Sequence, residues 1–175
     1  MNKILVVIDM QNDFVDGVLG SDQAVQIVGK VAEKIGTFSG DIIVTYDTHF
    51  SNYLDTAEGK KLPVVHCVKG TNGWELNKYV QKALVNKKYS IVEKPNFGSP
   101  VELPNLIKNK YGDYTGEIHL IGVCTDICVV SNANILKANF PQAEIFVDSA
   151  CCAGVTVEKH KAALETMRSC QINVY

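Results

Sequence analysis

Short runs of apolar, mostly β-branched residues recur along the chain, and they constrain its fold more than any other feature. The four clearest runs are KILVVID (3–9), DIIVTYD (41–47), EIHLIGV (117–123) and AEIFVDS (143–149). Nearly continuous apolar runs of this length are typical of strands that are buried on both faces of a parallel sheet. The segments SIVEK (90–94) and INVY (172–175) predict two further strands.

Helical patterns separate these strands. The spacing of apolar residues predicts helices over residues 23–36, 73–84, 126–139 and 156–170, with a shorter helix after Pro104. Alternating strands and helices predict a three-layer α/β/α fold, Rossmann-like, with a mostly parallel central sheet. The segments 48–73 and 95–116 are predicted to be irregular, and long loops of this kind usually carry function.

Length and composition limit the classes of protein that the chain resembles. With 175 residues, 46% of them apolar, we expect a single domain over 1–175. The net charge of -2, without a long run of Lys or Arg, disfavours binding to nucleic acid or to a membrane surface. The segment MNKILVVIDM is too short and too interrupted for a secretory signal, and no stretch has the length of a membrane span, so we expect a cytoplasmic protein.

Six cysteines are present without CxxC spacing, which predicts reduced thiols rather than disulfides. Cys151 and Cys152 are expected to be packing residues, because free cysteines are among the most buried side chains.

Polar residues follow the predicted strands at the edge where a parallel α/β sheet carries its site. They are Asp9, Asp47, His49, Lys94 and the turn CTDIC (124–128). If a helix begins after strand 117–123, Thr125 is its N-cap and Cys128 lies in the first turn. Unpaired backbone N–H groups there would lower the thiol pKa and could bind an oxyanion, although on position alone a cysteine here is more often a packed apolar residue.

A nucleophilic cysteine also needs a base and a charge partner. His119 lies inside a predicted strand and His160 on an apolar helix stripe, so both are expected to be structural. Asp9 and Lys94, each at the end of a strand, are the remaining candidates.

A metal site is predicted separately. Asp47 and His49 are two residues apart, so an extended chain points both side chains to the same side, and the long loop could supply His66. One carboxylate and two imidazoles suit Zn²⁺ best, with Fe²⁺ or Mn²⁺ as alternatives. The competing interpretation is that Asp47 and His49 end a strand and His66 packs.

Several segments, in order, resemble the isochorismatase-like cysteine hydrolases, and among them the nicotinamidases. The matching segments are VIDMQNDF (7–14), YDTHF (46–50), LPVVHCVKGTNGWEL (62–76), EKPNFGS (93–99) and IGVCTDICVVSNA (121–133). The resemblance implies a triad of Asp9, Lys94 and Cys128. It also implies an oxyanion hole from the backbone N–H groups of Cys124 and Cys128, and a cis peptide between residues 123 and 124.

For function, the resemblance implies hydrolysis of nicotinamide or pyrazinamide to the acid and ammonia through a thioester on Cys128, as a step of NAD salvage. A divalent metal on Asp47, His49 and His66 would bind the ring nitrogen. Glu58 is a candidate additional ligand, with Asp55 and Ser51 as rivals. Candidate ring contacts are Phe14, Leu19 and Phe97. Relatives often associate, so a homo-oligomer is expected.

Three other functions stay open on the sequence. The first is a metal-bearing amidase for another small amide. The second is a non-catalytic module on the same fold, for binding a partner or storing metal. The third is a redox protein that uses Cys124 and Cys128, although their i, i+4 spacing is not that of a CxxC motif.

Overall fold

The computed structural model describes residues 3–175, which form one six-stranded parallel sheet in the order β3-β2-β1-β4-β5-β6. The strands are β1 (Lys3–Ile8), β2 (Asp41–Asp47), β3 (Tyr89–Lys94), β4 (Glu117–Val123), β5 (Glu144–Ala153) and β6 (Asn173–Val174). The α-helices are α1 (Asn12–Val15), α2 (Asp22–Thr37), α3 (Ala57–Lys61), α4 (Lys78–Leu84), α5 (Glu102–Tyr111), α6 (Val130–Asn139) and α7 (Val157–Ser169).

Two apolar clusters cover the two faces of the sheet. Alternate residues of β1 divide between them, with Ile4 and Val6 in one cluster and Leu5 and Val7 in the other. The first cluster includes side chains of α5, α6 and α7, and the second includes side chains of α1, α2 and α4. The predicted three-layer α/β/α fold with a parallel sheet is therefore confirmed.

Local signals explain how individual helices begin. Ser21 caps α2, its hydroxyl accepting a hydrogen bond from the amide of Ala24 at 3.1 Å. Thr156 caps α7 in the same way through the amide of Lys159. Buried residues of α2 recur at the helical spacing, which is why its predicted range of 23–36 is close to the observed one.

Some predicted boundaries are wrong. Helix α5 begins at Glu102, before Pro104 rather than after it, because a proline in the first turn gives up no intrahelical hydrogen bond. Helix α4 begins at Lys78 instead of residue 73. Strand β5 continues to Ala153, and the segment 48–73 contains a short 3₁₀ turn as well as α3.

The six cysteines are all free thiols, as predicted, and Cys151 and Cys152 are buried. Among the described residues, no helix combines the length and apolar character that spanning a membrane requires.

Candidate active site

Asp9 follows β1 and lies at the carboxyl edge of the sheet with its side chain fully buried. Its backbone has a φ of 46°, a left-handed conformation that non-glycine residues adopt infrequently and that often accompanies a functional site. The Thr45 hydroxyl donates to Asp9 Oδ1 at 2.6 Å. Gly122, on the neighbouring strand β4, has a φ of 120°, and a Cβ there would lie 2.1 Å from the carbonyl oxygen of Ile8. The close approach of β1 and β4 beside Asp9 therefore requires glycine.

Lys94 is the last residue of β3 and joins the polar groups at this edge. Its fully buried ammonium lies 2.6 Å from Asp9 Oδ2, 3.4 Å from Asp47 Oδ1 and 3.6 Å from Cys128 Sγ. It also donates to the carbonyl oxygen of Asn96 at 3.0 Å. The three residues of the predicted triad are thus brought together from β1, β3 and the turn after β4.

The charges of this group depend on one another. Burial raises the pKa of the Asp9 carboxyl, and the Lys94 ammonium opposes that shift. Burial would lower the pKa of Lys94, but the charges of Asp9, Cys128 and Asp47 raise it overall. Lys94 is therefore a permanent cation at neutral pH, and it compensates the buried carboxylate of Asp9.

The turn that carries Cys128 is a π-helical segment, Thr125–Val129, continuous with α6. The peptide between Val123 and Cys124 is cis, as expected. The predicted N-cap is wrong, because Cys124 occupies the cap position without a side-chain cap. Thr125 lies inside the segment, fully buried, and its hydroxyl is 2.8 Å from Nδ1 of His160. A single π turn inside a helix is frequently found at functional sites.

The expectation of a lowered thiol pKa at Cys128 is also wrong. Burial raises the pKa of this thiol, and the neighbouring Asp9 carboxylate raises it further, while Lys94 only partly offsets both. Any reaction at Sγ would start from the thiol, and the Asp9 carboxylate, which contacts the same Lys94 ammonium as Sγ, is the neighbouring group that could accept its proton.

Cys124 and Cys128 have different surroundings. Cys128 belongs to the apolar cluster on the α6 side of the sheet, and Cys124 packs against the cluster on the opposite side. This separation argues against a redox pair.

Asp47, His49 and His66, here called the metal cluster, are buried, and their ligand atoms lie within 4.8 Å of one another. Asp47 Oδ2 is 2.9 Å from His49 Nε2 and 3.5 Å from His66 Nε2. His66 Nδ1 is 2.7 Å from the carbonyl oxygen of Val64, and a proton donated to that oxygen leaves Nε2 with a free lone pair. Within residues 3–175, buried His49 Nε2 makes no hydrogen bond of good geometry, even to the nearby Asp47 Oδ2, as expected of a metal ligand. The cluster could hold a divalent metal ion.

Glu58 lies beside the metal cluster in the first turn of α3. Its Oε1 is 3.8 Å from His49 Nε2 and 3.7 Å from His66 Nε2. The rivals Asp55 and Ser51 are both exposed. Glu58 is thus the loop residue positioned to add a carboxylate to this donor set, and its role as a ligand stays a prediction.

The candidate ring contacts differ in their placement. The half-buried ring of Phe14 lies 5.5 Å, centroid to centroid, from the ring of His66. Phe97 follows Lys94 by three residues, and its side chain is 46% exposed. Leu19 is half-buried in the turn after α1. Contact with a substrate stays a prediction for all three.

Comparison with known proteins identifies the family. The family model described as the isochorismatase domain matches residues 3–175. This chain belongs to the isochorismatase family. It is 27% identical to a nicotinamidase of Saccharomyces cerevisiae, over 75% of this chain and 79% of the relative. It is 25% identical to the nicotinamidase/pyrazinamidase of Mycobacterium tuberculosis, over 98% and 97% of the two chains. A crystal structure of the nicotinamidase/pyrazinamidase PncA from Bacillus subtilis matches with a TM-score of 0.87 and 26% identity, over 99% of both chains.

The site of this isochorismatase-family chain also depends on a residue that sequence reasoning missed. The fully buried side chain of Gln11 pairs with the backbone of Asp47: Nε2 donates to the carbonyl oxygen and Oε1 accepts from the amide, both at 2.8 Å. Nε2 also donates to the carbonyl oxygen of Trp74. The carboxamide thus continues the β1–β2 pairing past the strand end and fixes the backbone of Asp47. The only indication of this role in the sequence was that Gln11 is a polar residue close to the end of an apolar strand.

The two histidines expected to be structural have partners away from the metal cluster. His119 Nε2 is 3.0 Å from Glu117 Oε2, and its ring stacks on Phe146. His160 contacts Thr125, as described above. Burial lowers the pKa of both imidazoles.

Proposed function

We propose that this isochorismatase-family chain is a cysteine amidohydrolase that converts nicotinamide or pyrazinamide into the corresponding acid and ammonia. One observation carries the proposal: the Lys94 ammonium contacts Asp9, Cys128 and Asp47 simultaneously, so the triad adjoins the metal cluster. The relatives named nicotinamidase support the amide as the substrate class.

In the proposed reaction, Asp9 takes the proton of the Cys128 thiol as Sγ attacks the amide carbon. The carbonyl π electrons move to oxygen, and the backbone N–H groups of Cys124 and Cys128 donate to that oxyanion. Asp9 then returns its proton to the amide nitrogen, the C–N bond breaks and ammonia leaves.

Water hydrolyses the resulting thioester. Asp9 removes a proton from the water as its oxygen attacks the acyl carbon, and as the C–S bond then breaks Asp9 returns that proton to Sγ, so that the acid leaves and both the Cys128 thiol and the Asp9 carboxylate are restored. Throughout, Lys94 keeps positive charge beside the carboxylate and the sulfur. This agrees with the raised pKa of Cys128, because proton transfer to Asp9 accompanies the attack.

The metal cluster, with Glu58 as a fourth donor, would hold a divalent ion, for which two imidazoles and carboxylates favour Zn²⁺. When bound, the ion would supply a ligand position for the ring nitrogen of the substrate. Phe14 and Phe97 are proposed to flank the ring.

Ammonia release from nicotinamide, pyrazinamide and a simple carbamoyl amide, each with and without chelator, tests the proposal. We expect turnover of the two ring amides, with a loss on chelation that added metal reverses. Cys128→Ala is expected to bind metal normally and to release no ammonia. Turnover of the carbamoyl amide alone, unaffected by chelator, would contradict the nicotinamidase assignment, and no turnover of any amide with metal supplied would contradict the hydrolase assignment.

A further inference from the structure

Asn132 lies in α6, one turn after Cys128, with its side chain fully buried. Its carboxamide makes three hydrogen bonds. Nδ2 donates to the carbonyl oxygen of Cys128 at 2.8 Å and to that of Phe97 at 3.1 Å, and Oδ1 accepts from the amide of Ser99 at 3.0 Å. One side chain therefore joins the turn that carries the proposed nucleophile to the segment after Lys94.

Because one nitrogen atom donates to both carbonyl oxygens, those of Cys128 and Phe97 lie within about 6 Å of each other. The other anchor of the segment is Lys94, whose ammonium donates to the carbonyl oxygen of Asn96. The backbone around Phe97 is thus attached on one side to the proposed triad and on the other to the helix behind the nucleophile.

The segment 96–99 also lies directly on α6. A Cβ at Gly98 would be 2.6 Å from Cδ1 of Ile135, so only glycine permits this approach without displacing that side chain. Ser99 is buried, and its hydroxyl accepts a hydrogen bond from the amide of Leu103 in α5. The backbone is held in this way while the ring of Phe97 remains 46% exposed and available to a ligand.

Other asparagines of the same helix make the local bond without bridging to the segment after Lys94, and Asn139 in addition accepts from the exposed Lys108 ammonium at 2.7 Å. Asn134 and Asn139 donate to carbonyl oxygens four residues earlier in the chain, at 2.9 Å and 3.0 Å. Asn132 makes this local bond too, and in addition makes two to a segment more than 30 residues away. The helix does not need these two additional bonds. What they fix is the position of the segment 96–99 relative to α6.

We propose that Asn132 is a positioning residue that holds the Phe97 ring at a set distance from Cys128 and thereby makes the site selective for ring-bearing amides over aliphatic ones. This inference rests on the proposed function. Without the carboxamide, the Phe97 ring would no longer be held at a fixed distance from Sγ of Cys128. An amide bound through its ring would then lose its alignment with that sulfur atom. A small aliphatic amide, which has no ring to align, would lose little.

The test is the ratio of kcat/KM for nicotinamide to kcat/KM for propionamide in Asn132→Leu, a neutral change of similar volume. The matched control is Asn134→Leu on the same helix. We expect the ratio to fall roughly tenfold in Asn132→Leu, as loss of a buried hydrogen bond would allow, and to stay within about twofold in the control. A ratio of two activities cancels any loss of folded enzyme. If circular dichroism shows that Asn132→Leu does not fold, Asn132→Ser is measured in its place.

Two further measurements separate positioning from a general structural role. In a Phe97→Ala background, Asn132→Leu is expected to produce no additional fall in the ratio, because its effect acts through the ring. Hydrogen exchange of the Ser99 amide is expected to accelerate in Asn132→Leu and not in Asn134→Leu. Faster exchange with an unchanged ratio would overturn the inference and leave the proposed function intact, whereas a wild-type protein that releases no ammonia from any amide would end both.

Discussion

Replacement of Lys94 by Gln tests the charge balance of the buried site. The ammonium is fully buried and lies 2.6 Å from Asp9 and 3.4 Å from Asp47. Its removal leaves the Asp9 carboxylate with the Thr45 hydroxyl as its close hydrogen-bond donor. Breaking a buried ion pair by removing one partner costs about 3–5 kcal/mol. For a chain of this length, we expect Tm to fall by about 6–20 °C, together with loss of amide hydrolysis.

The loss of stability caused by Lys94→Gln should depend on pH, and the direction of that dependence is the one expected if the Asp9 carboxyl is the group left unpaired. Burial already raises the pKa of this carboxyl above the unfolded value, and loss of Lys94 raises it further. The folded variant then retains a proton that the unfolded chain releases, so its stability falls as pH rises from the unfolded pKa towards the folded one. Between pH 5 and pH 7, the penalty of Lys94→Gln relative to the wild type should grow by at most about 2.7 kcal/mol, because each unit is worth about 1.36 kcal/mol.

Urea unfolding of the wild type and of Lys94→Gln at the two pH values, with chelator in every sample, measures this difference. The control is Lys69→Gln, which removes a solvent-exposed ion pair with Glu93 at 2.6 Å. Exposed pairs contribute at most about 1 kcal/mol, so the control should lose little stability and show no comparable trend with pH. An equal penalty for Lys94→Gln at pH 5 and pH 7 would refute the reasoning that Lys94 compensates a buried carboxylate.

Three other predictions concern the neighbouring structure. Gly122→Ala should lower the free energy of unfolding by about 2 kcal/mol or more, because its Cβ would lie 2.1 Å from the carbonyl oxygen of Ile8; denaturant titration measures this, and an unchanged midpoint would contradict it. Gln11→Leu should weaken metal binding about 10–100-fold, since the backbone of Asp47 loses its partner; calorimetric titration would show no change if Gln11 is dispensable. Metal at 100 times its Kd should stabilise the folded state by about 2.7 kcal/mol, so chelation should lower Tm by an amount that depends on the earlier metal concentration, and a Tm indifferent to chelator would exclude a metal in the folded site.

The fold was predictable because its strands are buried on both faces. Near-continuous apolar runs marked β1, β2 and β4 within a residue of their observed ends. The predicted ends of helices were wrong where tertiary contacts, rather than the local sequence pattern, determine them. The turn at Cys128 is π-helical, and a single turn of five residues is too short to show a period of its own in the sequence. The start of α5 was misplaced because Pro104 was interpreted as a boundary rather than as a first-turn residue.

The charged residues of the site were predictable from their places at strand ends, but the groups that orient them were not. Asn132 falls at helical spacing with buried Val129, Ala133 and Leu136, so an amide in an apolar stripe was its only signal. Two of its three partners, Phe97 and Ser99, come from a segment whose distance from α6 no local pattern encodes. The direction of the Cys128 pKa was missed for a similar reason, because complete burial and a neighbouring carboxylate outweigh the helix terminus.

The central claim is that the acyl group of the amide is transferred to Sγ of Cys128, beside Asp9 and Lys94. Acid quenching during turnover of nicotinamide, followed by digestion and mass spectrometry, tests it directly. We expect the peptide that contains Cys128 to gain the mass of one nicotinoyl group, and this adduct to be absent from Asp9→Asn and Lys94→Gln. Ammonia release with no acyl group on Cys128, or with the acyl group on another residue, would contradict the account.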